Sequence, residues 1–176
     1  MEDKKNEYYP HPLDAMWNQE IEKLIPYLQG KGVDVGCSNR SVFKEQTRVD
    51  IDPIHKPDFL CSADELPFED NEYDYLTAIH VFEHFDDQLK MFKEWARVIR
   101  KNGIIAIVHP DVDYTGIQKP ASANPDKNPH NKHYHERNLK QWLEWFNSQG
   151  FGNLKILDTG EACPNWSFYA IIKKIE

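Results

Sequence analysis

The sequence predicts an α/β protein, a three-layer αβα sandwich built around a mostly parallel sheet. A short apolar strand, 33–35, runs directly into a glycine, and a continuous apolar run, GIIAIVHP, is typical of a strand buried on both faces. Strand-like and helix-like patterns also alternate along most of the chain. With 176 residues, the chain is long enough for one domain, 1–176, and too short for two of ordinary size.

The first half of the chain alternates strands with short connections. The N-terminal segment, 1–30, has apolar residues at helical spacing and predicts an amphipathic helix over 13–28. Four strands then follow: 33–35, a strand ending at Asp50, DFLCS and YDYLTAIHV. Because few residues separate the first two strands, we expect the crossover helix between them to be short or irregular.

The second half predicts two longer helices and three strands. Apolar residues between 89 and 99 indicate a helix that ends in RKNG, where basic residues and glycine suit a helix C-terminus. The strand GIIAIVHP follows, then a helix over 139–146 stopped by Gly150, and strands around LKILD and SFYAIIKK. The intervening stretch, 111–135, has no periodicity and is rich in proline, asparagine and histidine. A stretch of this kind predicts a substrate-side loop or lid.

Charge and composition narrow the function classes. The net charge of −8 argues against a nucleic-acid partner, whose phosphates favour a basic surface. No apolar run approaches the ~20 residues that span a bilayer, and the charged start, MEDKKNEYYP, does not resemble a signal peptide. Three widely spaced cysteines without a CxxC pair predict neither a disulfide framework nor a zinc cluster. We therefore expect a soluble, cytoplasmic protein with no membrane partner and no metal; the oligomeric state stays open.

Two residues at predicted strand ends point to a nucleoside-type ligand. Gly36 allows a sharp turn after the first strand, and Asp50 ends the next one. In a parallel sheet these positions meet at one edge, where a glycine loop approaches the ligand and a carboxylate accepts hydrogen bonds from ribose hydroxyls. The structural alternatives are a simple tight turn at Gly36 and a helix or turn cap at Asp50.

Several blocks of the sequence together resemble one enzyme family. VDVGCSNR, RVDIDP, SADELPFEDNEYDYLTAIHVFEHF, KEWARVIRKNGIIAIVHPD and SQGF are similar to motifs of the class I S-adenosylmethionine-dependent methyltransferases. The likeness is strongest to the small, type 11-like group whose members often accompany glycosyltransferases, and it covers residues 30 to 174. It implies a Rossmann-like sheet of the class I methyltransferase type, with S-adenosyl-L-methionine as cofactor and S-adenosyl-L-homocysteine as product.

The resemblance also implies roles for individual residues. The methionine portion of the cofactor would lie along the first strand and its loop, the ribose and adenine beside the second strand, and the sulfonium near the end of the fourth strand. The cofactor-binding residues expected on this basis are Asp34, Gly36, Cys37, Ser38, Asp50, Ile51, Ser62, Ala63, Asp64 and His80.

The loop after the first strand departs from the family pattern. The family usually carries GCGxG, and here Ser38 and Arg40 replace the second and third glycines. A Cβ and hydroxyl at Ser38 stand where backbone normally approaches the ligand, so we expect weakened rather than abolished binding. The same departures, with Ser62 in place of a common Asp, favour the alternative of a catalytically degenerate methyltransferase-like binding or regulatory protein.

Histidines are the candidate catalytic residues. His133 in the predicted lid is the best candidate general base, with His84 and His109 as weaker candidates. For His84, a structural role near the start of a helix is equally consistent with the sequence. A metal site at His130, His133 and His135 is disfavoured, since their spacing lacks the i, i+4 pattern of a helical zinc pair.

Taken together, the sequence predicts a methyltransferase that acts on an oxygen or nitrogen atom of a small-molecule acceptor. A sugar or glycan precursor is suggested only because members of this group often accompany glycosyltransferases. A nicotinamide-dependent oxidoreductase would also have a glycine loop after the first strand and an acid at the end of the second. Here, however, the loop lacks GxGxxG, and Asp50 follows the loop after too few residues.

Overall fold

The computed structural model describes residues 15–114 and 132–176, which form a seven-stranded sheet with helices on both faces. In chain order the strands are β1 (Gly32–Val35), β2 (Thr47–Asp50), β3 (Phe59–Leu60), β4 (Tyr73–Ile79), β5 (Ile99–Pro110), β6 (Leu154–Cys163) and β7 (Ser167–Lys174). The α-helices of the described residues are α1 (Ala15–Leu24), α2 (Gln88–Val98) and α3 (Leu139–Ser148).

The sheet order is β3-β2-β1-β4-β5-β7-β6. Neighbours from β3 to β5 pair in parallel, and β7 is antiparallel to both β5 and β6. Successive strands are added towards one side of the sheet from β1 to β3 and towards the other side from β4 onwards, so the order of the strands switches between β1 and β4. In open α/β sheets, ligands bind at such a switch point, outside the carboxyl ends of the strands. The predicted αβα sandwich with a mostly parallel sheet is confirmed.

Two apolar layers hold the helices against the sheet. On one face, α1 packs through Trp17, Ile21 and Leu24 against the strands. The spacing of these residues, three and four apart, places them on one side of the helix. On the other face, α2 and α3 contribute Trp95 and Trp142, both fully buried, to a larger aromatic layer. Both tryptophans are therefore core residues.

The N-terminal helix and the predicted lid are only partly described. The helix predicted over 13–28 is α1 followed by a 3-10 turn, Ile25–Tyr27, in which Pro26 has no amide hydrogen to continue the α-helical pattern. Of the predicted lid, only 111–114 and 132–135 are described, and His130 lies outside the described residues.

The predicted end of α2 at RKNG is wrong. The helix ends at Val98, and β5 begins at the next residue, because Ile99 pairs with Tyr73 of β4. The pairing register then shifts before Ile104 pairs with Tyr75, so RKNG forms an irregular start of the strand. Gly103 is needed there because a Cβ would lie 2.6 Å from the carbonyl oxygen of Asp74.

The connection from β1 to β2, residues 36–46, contains no helix, so the short or irregular crossover helix predicted there is replaced by an irregular loop. Its backbone instead folds against β2: the amides of Gly36 and Cys37 both donate to the carbonyl of Val49, at 2.8 and 3.0 Å. The loop is thereby held at the carboxyl edge of the sheet. No helix within 15–114 and 132–176 has the length and apolarity needed to cross a membrane.

Candidate active site

The carboxyl ends of β3, β2, β1 and β4 are neighbours in the sheet and bring the predicted cofactor residues to one edge. Each residue lies in the last part of a strand or in the loop that follows it. These are Asp34, Gly36, Cys37 and Ser38 for β1, Asp50 and Ile51 for β2, Ser62, Ala63 and Asp64 for β3, and His80 for β4. The prediction that they converge on one edge therefore agrees with the topology.

The Asp50 carboxylate is fixed in place by backbone amides. The amide of Ser38 donates to Oδ2 at 2.8 Å, and the amide of Asp52 donates to Oδ1 at 2.9 Å. Each carboxylate oxygen can accept a further hydrogen bond. The geometry thus ties the glycine loop to the acid at the end of β2 and fixes the orientation of a nearly buried carboxylate.

The altered glycine loop keeps a left-handed conformation at Ser38. Its φ is 50°, in the region where glycine is normally found. Gly36, with φ 68°, also avoids a clash, because a Cβ there would lie 2.4 Å from Cγ2 of Val81. Ser38 therefore takes up the kind of backbone conformation that a glycine favours and places its amide on Asp50.

Asp34 is a buried acid beneath this loop. Thr77 donates its hydroxyl to Oδ1 at 2.5 Å, and Gln46 donates to that hydroxyl oxygen at 2.8 Å. Burial raises the pKa of Asp34 to about 7, although the hydrogen bond from Thr77 opposes the shift. The carboxyl of Asp34 is therefore partly protonated near pH 7.

The next two loops line the expected adenine side. Ile51 leaves 48% of its surface exposed, an apolar side chain available to a flat ring. Ser62 donates to Asp64 at 2.5 Å, and Lys90 donates to the other oxygen of Asp64 at 2.7 Å. Burial alone would raise the pKa of Asp64, but these hydrogen bonds outweigh it and lower the pKa.

Two of the predicted cofactor-binding residues, Ala63 and Cys37, are buried in the protein. Ala63 is buried, and its carbonyl accepts a hydrogen bond from Nε1 of Trp95 at 2.9 Å. Cys37 is also buried, and burial raises the pKa of its thiol to about 12. Any contact of these residues with a ligand would therefore be made through their backbone or through part of their surface.

His80 lies just after β4 with a left-handed φ of 56°. Its Nε2 lies 2.8 Å from Oε1 of Glu20 in α1, and Ser167 donates to the same oxygen at 2.6 Å. Burial lowers the pKa of His80, but the negative charge of Glu20 and its hydrogen bond outweigh burial and raise it. Sequence reasoning missed Glu20; its signal was a charged residue on the apolar side of the helix, between Trp17 and Ile21.

A second group lies beyond the end of β4. The rings of His84 and His133 are 4.9 Å apart, centroid to centroid, and Glu83 lies beside them. The amide of Tyr134 donates to the carbonyl of Glu83 at 2.8 Å, which joins the end of the predicted lid to the 3-10 turn Phe82–His84. The structure thus brings together two of the three predicted catalytic histidines, and it adds a glutamate that was not predicted.

Burial shifts the protonation of this group. It raises the pKa of Glu83 to about 7 and lowers the pKa of His84 to about 4, with the neighbouring His133 adding to the second shift. His84 is therefore neutral near pH 7.

His109, the third candidate, lies apart from this group. Its ring stacks on Phe168 with centroids 5.1 Å apart, and its Nδ1 lies 2.6 Å from the carbonyl oxygen of Pro110. Only 1% of the residue is exposed, and burial lowers its pKa to about 3. The proposed base roles of His133, His84 and His109 stay predictions; the surroundings of His109 are those of a core residue.

The two groups lie at the same edge of the sheet, on either side of the point between β1 and β4. A glycine without Cβ, a fixed carboxylate and an exposed aliphatic side chain lie along one half of this edge, where the resemblance predicts the methionine, ribose and adenine parts of the cofactor. Imidazoles lie beyond the switch point. Methyl transfer requires the cofactor methyl to be held in line with a nucleophile, and this arrangement has a side for each partner.

Comparisons with known proteins give the same picture. Residues 22–107 match the family model described as a methyltransferase domain. An uncharacterized protein of Methanocaldococcus jannaschii is 27% identical to this chain, over 89% of it and 83% of that protein. A demethylmenaquinone methyltransferase of Staphylococcus saprophyticus is 30% identical over 60% of this chain and 44% of that protein.

Solved structures show the same fold. An S-adenosylmethionine-dependent methyltransferase from Mesorhizobium loti superposes with a TM-score of 0.69, covering 91% of this chain and 98% of that one. At 12% identity this likeness concerns the fold alone. The sheet topology is that of the class I S-adenosylmethionine-dependent methyltransferases, and residues 22–107, just under half of the chain, match the methyltransferase domain model.

Proposed function

We propose that the enzyme transfers the methyl group of S-adenosylmethionine to an oxygen or nitrogen atom of a small molecule, with a sugar or glycan precursor as the leading acceptor class. The observation that carries the proposal is the Asp50 carboxylate, which is fixed beside the glycine loop. On the other side of the switch point, the imidazoles of His84 and His133 form a polar wall. The cofactor half of the edge suits a nucleoside, and the other half suits a compact polar acceptor.

In this proposal the cofactor lies along the ends of β1, β2, β3 and β4. Asp34, Gly36, Cys37 and Ser38 hold the methionine portion, with the Asp34 carboxyl beneath the cofactor's ammonium group. Asp50 accepts hydrogen bonds from the ribose hydroxyls. The remaining contacts are those of Ile51 with the adenine face, of Ser62, Ala63 and Asp64 with the adenine edge, and of His80 near the sulfonium.

The acceptor is expected on the side of His84 and His133. The carboxylates of Glu20 and Glu83 are close by, so the wall is not basic. A phosphate-rich polymer gains little from such a surface, whereas hydroxyl and amine groups find hydrogen-bonding partners there. The product pair would be the methylated acceptor and S-adenosylhomocysteine.

The cofactor half is tested by calorimetric titration of S-adenosylhomocysteine into the wild type and the Asp50→Ala variant. Losing hydrogen bonds to a charged group costs about 1.5–3 kcal/mol, so the dissociation constant is expected to rise about 10- to 150-fold. Asp52→Ala is the matched control, since its carboxylate caps the 3-10 turn Pro53–His55 through the amide of Ile54. Equal affinities for the wild type and Asp50→Ala would overturn the ribose assignment.

The acceptor half is tested by incubating the enzyme with S-adenosylmethionine and a panel of sugars, nucleotide sugars and small amines. Formation of S-adenosylhomocysteine with a sugar would support the full proposal. Turnover with amines alone would overturn the sugar assignment and leave methyl transfer standing. Cofactor binding without turnover on any acceptor would favour a protein that binds the cofactor for a regulatory purpose.

A further inference from the structure

Glu83, His84 and His133 form a compact group of potential metal ligands. One ligand atom from each residue lies within 4.8 Å of the other two. They come from two separate segments, the 3-10 turn Phe82–His84 and the chain after residue 131, which are joined by the hydrogen bond from the amide of Tyr134. The cofactor half of the site uses none of these three side chains.

The carboxylate of Glu83 has unusually few partners for a buried acid. Its side chain is 2% exposed, and its Oε2 has no hydrogen-bond partner among the described residues. Its Oε1 lies 3.8 Å from Nδ1 of His80 and 3.9 Å from Nε2 of His84, both beyond hydrogen-bonding distance. Burying a carboxylate in this way is costly unless a cation or proton compensates it.

The imidazole of His84 is oriented as a ligand. Its Nδ1 lies 3.2 Å from the carbonyl oxygen of Lys132, and a carbonyl can only accept, so Nδ1 carries the hydrogen. In the neutral ring, Nε2 then presents its lone pair towards the oxygen of Glu83 at 3.9 Å. Two electron-rich atoms face each other across a gap, which a metal ion would bridge. A backbone carbonyl on the far nitrogen is the usual support of a metal-bound histidine.

His133 has a comparable support. Its Nδ1 lies 3.4 Å from Oε1 of Glu136, the placement of an outer carboxylate that orients a metal-binding imidazole. His133 and Glu136 are three residues apart in the segment that carries the end of the predicted lid. Both histidine side chains are partly exposed, 23% for His84 and 21% for His133, so the group opens towards the acceptor side.

We propose that Glu83, His84 and His133 bind a divalent transition-metal ion of the zinc type, with at least one coordination position open to the acceptor. Two imidazoles and a carboxylate form a ligand set that zinc uses, and nitrogen ligands disfavour magnesium and calcium. At metal–ligand distances of about 2.0–2.1 Å, tetrahedral ligand atoms lie roughly 3.4 Å apart. The longest of the three spacings, up to 4.8 Å, therefore has to shorten by up to about 1.4 Å, which side-chain rotation can supply.

The role of the ion in catalysis rests on the proposed function. A hydroxyl of the acceptor would bind at the open position, where the ion lowers the pKa of that hydroxyl. Its proton leaves to solvent as the oxygen attacks the methyl carbon. The carbon–sulfur bond breaks with its electron pair left on sulfur, and the products are a methyl ether and S-adenosylhomocysteine.

The binding site itself is tested without any activity assay. The full-length protein is freed of metal with a chelator, and zinc is titrated into the wild type and the variants Glu83→Gln, His84→Ala and His133→Ala by calorimetry. We expect one zinc per chain in the wild type. Because outer partners of a ligand are worth 10–100-fold, loss of a ligand should weaken binding more than about 100-fold. Magnesium should not compete.

Two controls separate ligation from folding. His135→Ala changes a histidine of the same segment whose Nε2 lies 2.9 Å from the carbonyl oxygen of Asp86, and it should keep zinc. Metal-free Glu83→Gln should unfold at the same temperature as the metal-free wild type or higher, because it removes a buried charge, yet zinc should no longer stabilise it. Equal zinc affinity in the wild type and all three ligand variants would overturn the metal site.

Binding of S-adenosylhomocysteine is measured on the same samples. Intact cofactor binding with no zinc site would remove the metal proposal alone. A zinc site without cofactor binding would instead count against the proposed function.

Discussion

The buried carboxyl of Asp34 is expected to make the protein less stable as the pH rises from mildly acidic to neutral. Its pKa is raised from 3.8 to about 7 by burial in the folded protein. Between these values the folded state keeps a proton that the unfolded chain has lost. Stability therefore falls by about 1.4 kcal/mol per pH unit through this window and levels off above pH ~7.

The magnitude follows from the width of the window. From about pH 5 to about pH 7, this one group should lower the free energy of unfolding by roughly 2–3 kcal/mol. For a chain of this length that is a fall in melting temperature of roughly 4–12 °C. Asp34→Asn keeps the shape and can still accept the hydrogen bond from Thr77, but it cannot titrate.

The assay is urea unfolding of the wild type and Asp34→Asn at a series of pH values, followed by tryptophan fluorescence. The quantity to examine is the difference between the two free energies of unfolding, since other titrating groups cancel in it. The wild type should gain relative to the variant as the pH falls towards 5. Asp158→Asn is the control: hydrogen bonds from Tyr27 and Tyr169 lower the pKa of Asp158, so that difference should stay flat over the same range. A difference for Asp34→Asn that does not change with pH would refute the reasoning.

Two further substitutions test the packing around the site. Gly36→Ala combines a left-handed φ with a Cβ 2.4 Å from Val81, so it should cost roughly 2–5 kcal/mol in urea unfolding. Val81→Ala in the same chain should recover the steric part, and purely additive effects would argue against the contact. Phe82→Ala empties a fully buried position that packs edge-to-face on Phe92 and Trp145, and should cost about 3–5 kcal/mol by the same measurement. Phe82→Leu should cost distinctly less, and a loss below about 1 kcal/mol for the alanine variant would show that the layer closes over the gap.

The fold was predictable where local pattern and tertiary environment agree. The run GIIAIVHP reads as a buried strand because Ile105 to Val108 are inaccessible from both faces of the sheet. RKNG shows the opposite case. Basic residues before a glycine suit a helix end, but pairing of Ile99 with Tyr73 of β4 draws the chain into the sheet one residue after the helix. That contact joins residues far apart in sequence, so no local pattern could report it.

The meeting of Gly36 and Asp50 at one edge of the sheet was predictable for the same reason. Asp50 ends β2 and Gly36 directly follows β1, and the parallel order of the sheet then places them together. Glu83 lies near His133 only because a segment about fifty residues later folds back over the 3-10 turn. The local sequence around Glu83 and His84 contains no signal for such a distant contact. The pairing of His84 with His133 likewise depends on where that segment returns.

The helix-free connection after β1 explains why Arg40 can stand where the family has glycine. Without a helix in 36–46, the layer on that face is supplied by α1, which comes earlier in the chain. The guanidinium of Arg40 lies 4.3 Å from the centre of the Trp17 ring, so the residue that departs from the glycine pattern is also the one that joins the loop to the helix. The same helix carries Glu20 to His80 at the end of β4. α1 therefore touches the site on both sides of the switch point, and a change in its position would reach the cofactor loop and the region of the sulfonium together.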